Sequence, residues 1–334
     1  MYSQAVKKDS LGLIRSAIEK LNLNLSAYTV LTEIGSGPYI YTPLIPLLAN
    51  AKKVYAFTKD SPYGLSKDIR KSATDLFAEL NFIDQFEIVS ASVPENVLSD
   101  VDIITNSGSL RPLDKNKLQF VKSSCVIPLM FESWEIRERD IDLSFCKEKK
   151  IKVAGTWEQH PDLRIFDLVQ DLAVKLAREA GYKIFDNKII VWSGDEFGIM
   201  AQRGFLRHGA KEVIVTNNFS ELMNEFINTN FVFLCDYREQ RSFFRPDGIF
   251  DLEKMMLINR NFGIVHLYGD VETNLLHRKS IRVYPEENGS AMKMSKTLAH
   301  LGLKPIIDLQ TAGFKVAQEM LEDKLTALSQ PLTF

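Results

Sequence analysis

The stretch KIIVWSGDEFGIMAQRGFLRHGAKEVIV, residues 188–215, decides the fold. Residues 188–192 form an apolar, β-branched run and predict a buried strand. A turn with Gly194 and Gly198 follows, then a helix over about 197–209, then a second buried strand at 212–215. This order aims a helix N-terminus, with its unpaired N–H groups, at an anionic ligand. A dinucleotide turn reads G-x-G-x-x-G, whereas this one reads S-G-D-E-F-G. Ser193 stands at the first glycine position and Asp195 at the second; only Gly198 matches. A carboxylate in the second position repels a pyrophosphate. The architecture is legible there and the ligand is not.

Working outward, the same alternation recurs. Toward the N-terminus an amphipathic helix spans 3–23, with strands at 29–34, 53–57, 86–89, 102–105, 125–129 and 152–154. An apolar helix follows the G-S-G-P turn to about residue 48, and another covers 65–80. The longest helical pattern is 162–180. Beyond residue 215 come helices at about 219–227 and 251–259, strands at 231–235 and 262–267, and a closing helix at 311–328. Strands alternating with helices predict an α/β fold: two Rossmann-like doubly wound domains with a cleft between them. The expected division is a substrate-type domain at 1–160 and a hinge helix at 161–182. A nucleotide-binding domain at 183–280 follows, then a tail at 281–334 packing back on the first domain.

Composition narrows the classes. Apolar residues are 45% and charged residues 25% of 334, the balance of a globular chain with a large core. The net charge of −2 offers no electrostatic case for nucleic acid or an anionic membrane. No apolar run reaches membrane-spanning length and the N-terminus lacks a signal-peptide core, so a cytoplasmic protein is expected. Cys125, Cys146 and Cys235 are scattered without metal-ligand spacing, so they read as buried structural thiols and no metal is expected.

From residue 102 to 276 the chain resembles the D-2-hydroxyacid (formate/glycerate) dehydrogenase superfamily. The resemblance rests on IITNSGSLRPLDKNKLQFV, on RDIDLSFCKEKKIKVAGTWEQHPDLRIFDLV, and on DLEKMMLINRNFGIVHLYGDVETNLL. It implies that Asn106, Ser107, Gly108 and Arg111 lie on a loop offering backbone N–H groups to a substrate carboxylate. It implies NAD or NADP at Ser193, Gly194, Asp195, Glu196, Phe197 and Gly198, and pairing into a homodimer. Three departures stand out. Tyr268 falls near the family's substrate-binding arginine, and its glutamate–histidine pair is not found near the C-terminus. At the end of the second strand, where the family places an acid for the ribose, stands Asn217. The N-terminal line TVLTEIGSGPYIYTPLIPLLANAKKVYAF resembles the first motif of S-adenosylmethionine methyltransferases, with Glu33, Gly35, Ser36 and Gly37 in the glycine loop. That motif implies S-adenosylmethionine as an alternative cofactor. The acid expected after the next strand comes late, at Asp60.

Candidate chemistry has a bland counterpart at each position. Glu132 and Glu135, with Trp134, Arg137 and Arg139, follow a strand end, where side chains face the ligand crevice. Acids at a solvated helix start, favoured by the dipole, are the alternative. His160 lies in the crossover loop and His266 ends a buried strand; either is a proton-transfer group or a structural histidine. His208 suits a helix C-terminus, and His277 and His300 read as surface residues. Arg111 pairs with a substrate anion or is a surface arginine. Asp60–Gly64 is a tight turn, and 289–295 is a lid or a plain loop. The expected activity is an NAD(P)-dependent oxidoreductase acting on a small polar substrate. Its proposed chemical groups are Glu132, His266 and His160. A transferase using the Glu33–Gly37 loop and a non-catalytic ligand-binding protein are the alternatives.

Overall fold

A computed structural model describes residues 4–82 and 84–332. The strands in chain order are β1 (Thr29–Glu33), β2 (Lys53–Thr58), β3 (Phe86–Ser90), β4 (Ile103–Ile104), β5 (Val126–Pro128), β6 (Lys152–Thr156), β7 (Lys188–Trp192), β8 (Glu212–Thr216), β9 (Phe231–Leu234), β10 (Gly263–His266), β11 (Arg282–Tyr284) and β12 (Ser329–Pro331). By contact the chain divides into a first unit that runs to Ile165 and resumes at Gly302, and a second unit, Phe166–Leu301. Each is a Rossmann-like α/β layer built on a parallel sheet.

The first unit carries the order β12-β6-β5-β4-β1-β2-β3. Its first six strands are parallel and β12 closes the edge antiparallel to β6. Parallel strands need both faces covered, which explains their near-continuous apolar character. One face buries Ile14, Leu44, Val54, Ile103 and Phe314 beneath the helices Gln4–Leu21, Ser66–Glu79 and Lys304–Leu321. The other buries Leu31, Phe57, Ile104, Leu118, Ile127 and Phe145.

The second unit carries β11-β10-β9-β7-β8, all parallel. Trp192, Phe226, Phe243, Phe250 and Met255 fill one side of it.

Three expected boundaries move, each for a local reason. The long pattern at 162–180 yields a helix only over Val169–Glu179, preceded by a single 3-10 turn at Phe166–Leu168. Arg164 has φ of 52°, which interrupts helical geometry ahead of that turn. The closing helix starts earlier and stops earlier than 311–328, at Lys304–Leu321. Pro305 suits its first turn. After its end, the Glu319 carboxylate accepts from Thr326 N (3.0 Å) and Ser329 Oγ (2.8 Å), folding the chain back into β12. The supposed tail at 281–334 is divided. Arg282–Tyr284 pairs parallel with β10, so that part belongs to the second unit.

All three cysteines are buried and free, Cys125 and Cys235 beside strands and Cys146 in the helix Leu143–Lys149. Among the described residues no helix is long and apolar enough to cross a membrane.

Gly155 in β6 marks the tightest approach to backbone in the first unit. An added Cβ would lie 2.4 Å from the backbone nitrogen of Ser133. Backbone cannot swing aside as a flexible side chain does, so Gly155→Ala is expected to cost about 1–3 kcal/mol. A urea titration should show a lower midpoint at unchanged slope.

Candidate functional site

In an open α/β sheet, ligands bind beyond the strand C-termini where the strand order reverses. In the second unit that point lies between β7 and β9, and two aspartates occupy it. Asp195 is the N-cap of the helix Glu196–Arg207, its Oδ1 accepting from Phe197 N at 3.0 Å. The same oxygen accepts from Ser193 Oγ at 2.9 Å, and Oδ2 accepts from Tyr237 N at 2.7 Å. Asp236, two residues past β9, accepts from Gly194 N at 2.7 Å through Oδ2. Its Oδ1 accepts from Arg238 N and Glu239 N, both at 3.0 Å. In this turn the Gly194 and Phe197 N–H groups are paired with carboxylates from the chain itself, and Asp195 N donates to Ser193 Oγ. Burial raises Asp195 to about 6, and the neighbouring Asp236 charge adds to the rise.

The rest of the turn is filled as well. A Cβ on Gly194 would lie 2.4 Å from Asn217 Nδ2, so the Asn217 side chain rests against the turn. A Cβ on Gly198 would lie 2.5 Å from Ser193 Cβ and 3.0 Å from Val215, so Gly198 serves close helix–strand packing. Phe197 and Tyr268 pack with centroids 4.7 Å apart, and Tyr237 meets Tyr268 edge-on at 5.4 Å. Tyr268 is buried in this aromatic cluster. Glu196 lies 3.7 Å from Arg238 at the surface. A dinucleotide pyrophosphate needs these same N–H groups and would meet two carboxylates. The residues present do not fit that group.

In the first unit the order reverses between β1 and β4, and again a carboxylate sits there. Glu33 ends β1 and is buried. Its carboxyl lies over Gly108, where φ is +42° and a Cβ would fall 1.4 Å from Glu33 Oε2. The Arg111 guanidinium, the Ser109 backbone N–H and the Ser107 hydroxyl favour its charged form. Burial nevertheless dominates and pushes Glu33 above the usual carboxylate range. Arg111 bends back to donate to Asn106 O (3.0 Å) and lies 3.5 Å from Asp140, which also takes Arg137 Nε at 2.7 Å. Asn106 is fully buried, and its side-chain Nδ2 and Oδ1 have no hydrogen-bond partner.

The glycine loop beside Glu33 is pinned rather than open. Ser36 Oγ donates to Tyr63 O at 2.8 Å, Gly35 abuts Tyr39, and Gly37 has φ of +58°. Asp60 accepts from Ser66 N (2.7 Å) and Ser66 Oγ (2.6 Å), fixing the start of the helix Ser66–Glu79.

Glu132 is buried and joins three segments. Its Oε1 accepts from Glu158 N at 2.8 Å, its Oε2 from Gln330 Nε2 at 2.6 Å, and its own N–H donates to Glu135 at 3.3 Å. Burial raises both Glu132 and Glu158, and in Glu158 the charges of Glu135 and Glu132 add to the rise. His160 is half-buried, its Nδ1 accepting from Asp162 N at 3.2 Å and its ring edge-on to Trp157 at 5.4 Å. His266 is wholly buried, and its Nε2 donates to Pro285 O at 3.0 Å. Its Nδ1 has no partner, and burial lowers it to about 4, so the ring is neutral. The 289–295 segment is held against the end of β10 by Gly289 N to Val271 O (2.9 Å) and Ser295 N to Leu267 O (2.8 Å).

His208 bonds Gly204 O at the end of its helix, in keeping with the expected role there. His300, expected as a plain surface residue, contacts Glu179 at 2.6 Å. Tyr284 OH joins the same carboxylate, which is lowered to about 2. Sequence reasoning missed Asp236, Gln330 and Glu158. Asp236 and Glu158 carried a signal, each an acid two residues beyond a buried strand; Gln330 carried none.

No protein-family model matches the sequence, and no curated protein sequence matches it. Solved structures do share the fold. One dipicolinate synthase polypeptide, from Bacillus subtilis, superposes with TM-score 0.56 at 10% identity, over 91% of this chain and 100% of that one. The pyruvate reductase of Chlamydomonas reinhardtii gives TM-score 0.54 at 10% identity, over 91% and 99%. The dipicolinate synthase polypeptide of Bacillus halodurans gives 0.53 at 10% identity, over 91% and 99%. The resemblance read from the sequence therefore holds at the level of the whole fold.

A carboxyl raised in the folded state gives stability below its unfolded value and loses it as pH rises through the folded one. A carbon-detected titration is expected to show Asp195 with a midpoint of about 6. Asp236→Asn should move that midpoint down. As pH falls from roughly 7 to roughly 5, the wild type should gain stability that Asp195→Asn lacks, read from urea midpoints at each pH.

Proposed function

We propose that this protein binds a small polar ligand on a reductase-type frame and does not transfer hydride from a nicotinamide dinucleotide. The observation that carries the reading is the Asp195–Asp236 pair on the Gly194 and Phe197 N–H groups. Two like charges already stand at the helix N-terminus that follows β7. At an effective dielectric near 20, each unit charge about 4 Å from another contributes roughly 4 kcal/mol of repulsion. Tyr268 adds support: it fills an aromatic core instead of offering a cation to an acid substrate.

A second reading, an NAD(P)-dependent oxidoreductase acting on a small polar substrate, draws its support from the shared fold with a pyruvate reductase. On that reading the nucleotide would have to displace Asp236 from Gly194. S-adenosylmethionine draws no support from the proteins that share the fold, and the Glu33 carboxyl is committed to the 107–111 loop.

Calorimetric titration with NAD, NADH, NADP and NADPH separates the readings. The proposal predicts no saturable heat up to about 1 mM nucleotide, where binding would be worth only about 4.1 kcal/mol. Binding well below that concentration, abolished by Gly198→Val while the fold persists, would establish the oxidoreductase reading instead.

A further inference from the structure

The sheet of the second unit ends at β8, which pairs with β7 and is the last strand on that side. Thr216 O accepts from Ser193 N at 3.1 Å, so Thr216 turns its backbone groups toward β7. Alternate residues of a parallel ladder bond to opposite sides, so Val213 and Val215 turn theirs to the open side. The Gln202 side chain reaches that side, its Nε2 donating to Val213 O at 3.0 Å. An edge of this kind is a template for a further strand.

The two flanks of the edge differ. Gln202 shares one stripe of the helix Glu196–Arg207 with Ile199, three residues before it, and Leu206, four after it. Ile199 and Leu206 are 46% and 48% exposed, and Phe185, 78% exposed, lies against Gly209 just past the same helix. Val215 faces this helix, since a Cβ on Gly198 would lie 3.0 Å from it, and Val213 points the same way. This flank is an apolar ledge, with the exposed Arg203 beside it. Glu212, Ile214 and Thr216 face the opposite way, toward the helix Phe219–Glu225. There Glu221 takes the Thr216 hydroxyl at 2.6 Å, while Glu225 and Glu212 share Lys188, the latter at 3.8 Å. Three carboxylates stand around one ammonium, so this flank is acidic.

A strand added to a sheet edge gains main-chain hydrogen bonds and presents alternate side chains to the two flanks. We propose that the open edge of β8 docks an extended peptide segment of a partner protein, apolar on one face and basic on the other. Val213 and Val215 supply the main-chain pairing, and an incoming N–H replaces Gln202 on Val213 O. Ile199 and Leu206 receive the apolar side chains; Glu212, Glu221 and Glu225 receive the basic ones. A second copy of this chain is the poorer match, because pairing the edge with itself sets one acidic row beside another. The inference goes beyond the small-ligand reading and is independent of it, since neither Asp195 nor Asp236 takes part.

Two synthetic eight-residue peptides test it, one alternating valine with lysine and the other valine with glutamate. Binding to the intact protein is read by fluorescence anisotropy, and amide hydrogen exchange locates it. The valine–lysine peptide is expected to saturate below about 1 mM and the valine–glutamate peptide to show no saturation. The Val213 and Val215 amides should gain protection when the first peptide is bound. Leu206→Ser and Glu212→Lys, both at exposed positions, should each weaken that peptide about tenfold with the melting temperature unchanged. The proposal is overturned by no saturable binding, by equal binding of the two peptides, by an affinity that neither substitution alters, or by binding that leaves Val213 and Val215 unprotected. A dimer in sedimentation that Leu206→Ser dissociates would also overturn it, assigning the edge to self-association.

Discussion

A backbone N–H that is removed from water must find an acceptor, and this requirement bears hardest where parallel strands end and helices begin. In many α/β folds a bound anion supplies the acceptor. Here the chain supplies it. Asp195 and Asp236 take N–H groups around the β7 turn, and in the first unit the Glu33 carboxyl fills the space over Gly108 in the turn after β4. Both positions are the places where strand order reverses, so each unit places a carboxyl of its own there.

The arrangement has an energetic cost that the pKa directions record. Burial raises Glu33, Glu132, Glu158 and Asp195 together, because each gives up hydration that its hydrogen bonds only partly replace. The first unit compensates with the series Glu33, Arg111, Asp140 and Arg137, in which charges alternate in sign. The second unit relies instead on dense N–H donation, five backbone donors to two carboxylates. Removing one member of either group leaves a buried partner uncompensated, which costs more than the pair itself contributes.

Periodicity exposed the fold because buried parallel strands are continuous apolar runs, as in 188–192 and 231–234, and helices between them show a different repeat. Gly198 was legible too, since close packing of helix on strand demands it at that spacing. The short strand β12 was not, because S-Q-P is polar and its pairing with β6 depends on a return of the chain over a long distance. Asp195 could be recognised as an obstacle to a pyrophosphate from its position alone. What it does instead depends on Asp236 and Tyr237, some forty residues later by the sequence separation in its hydrogen bond. Glu33 was read as part of a glycine loop facing a ligand. Its actual partner is the loop at 107–111, and local pattern carries no information about that meeting. His266 shows the same limit: the end of a strand predicts a crevice, yet Pro285 O and Gly289 enclose its ring.

The most direct measurement of the central claim is residue-resolved amide hydrogen exchange on the unliganded protein. If the chain's own carboxylates satisfy this turn, the amides of Gly194, Phe197 and Tyr237 are protected, and Asp236→Ala releases Gly194 together with Arg238 and Glu239. Exchange of those three amides at free-peptide rates in the wild type would contradict the account, because the turn would then be open to solvent and to an external anion.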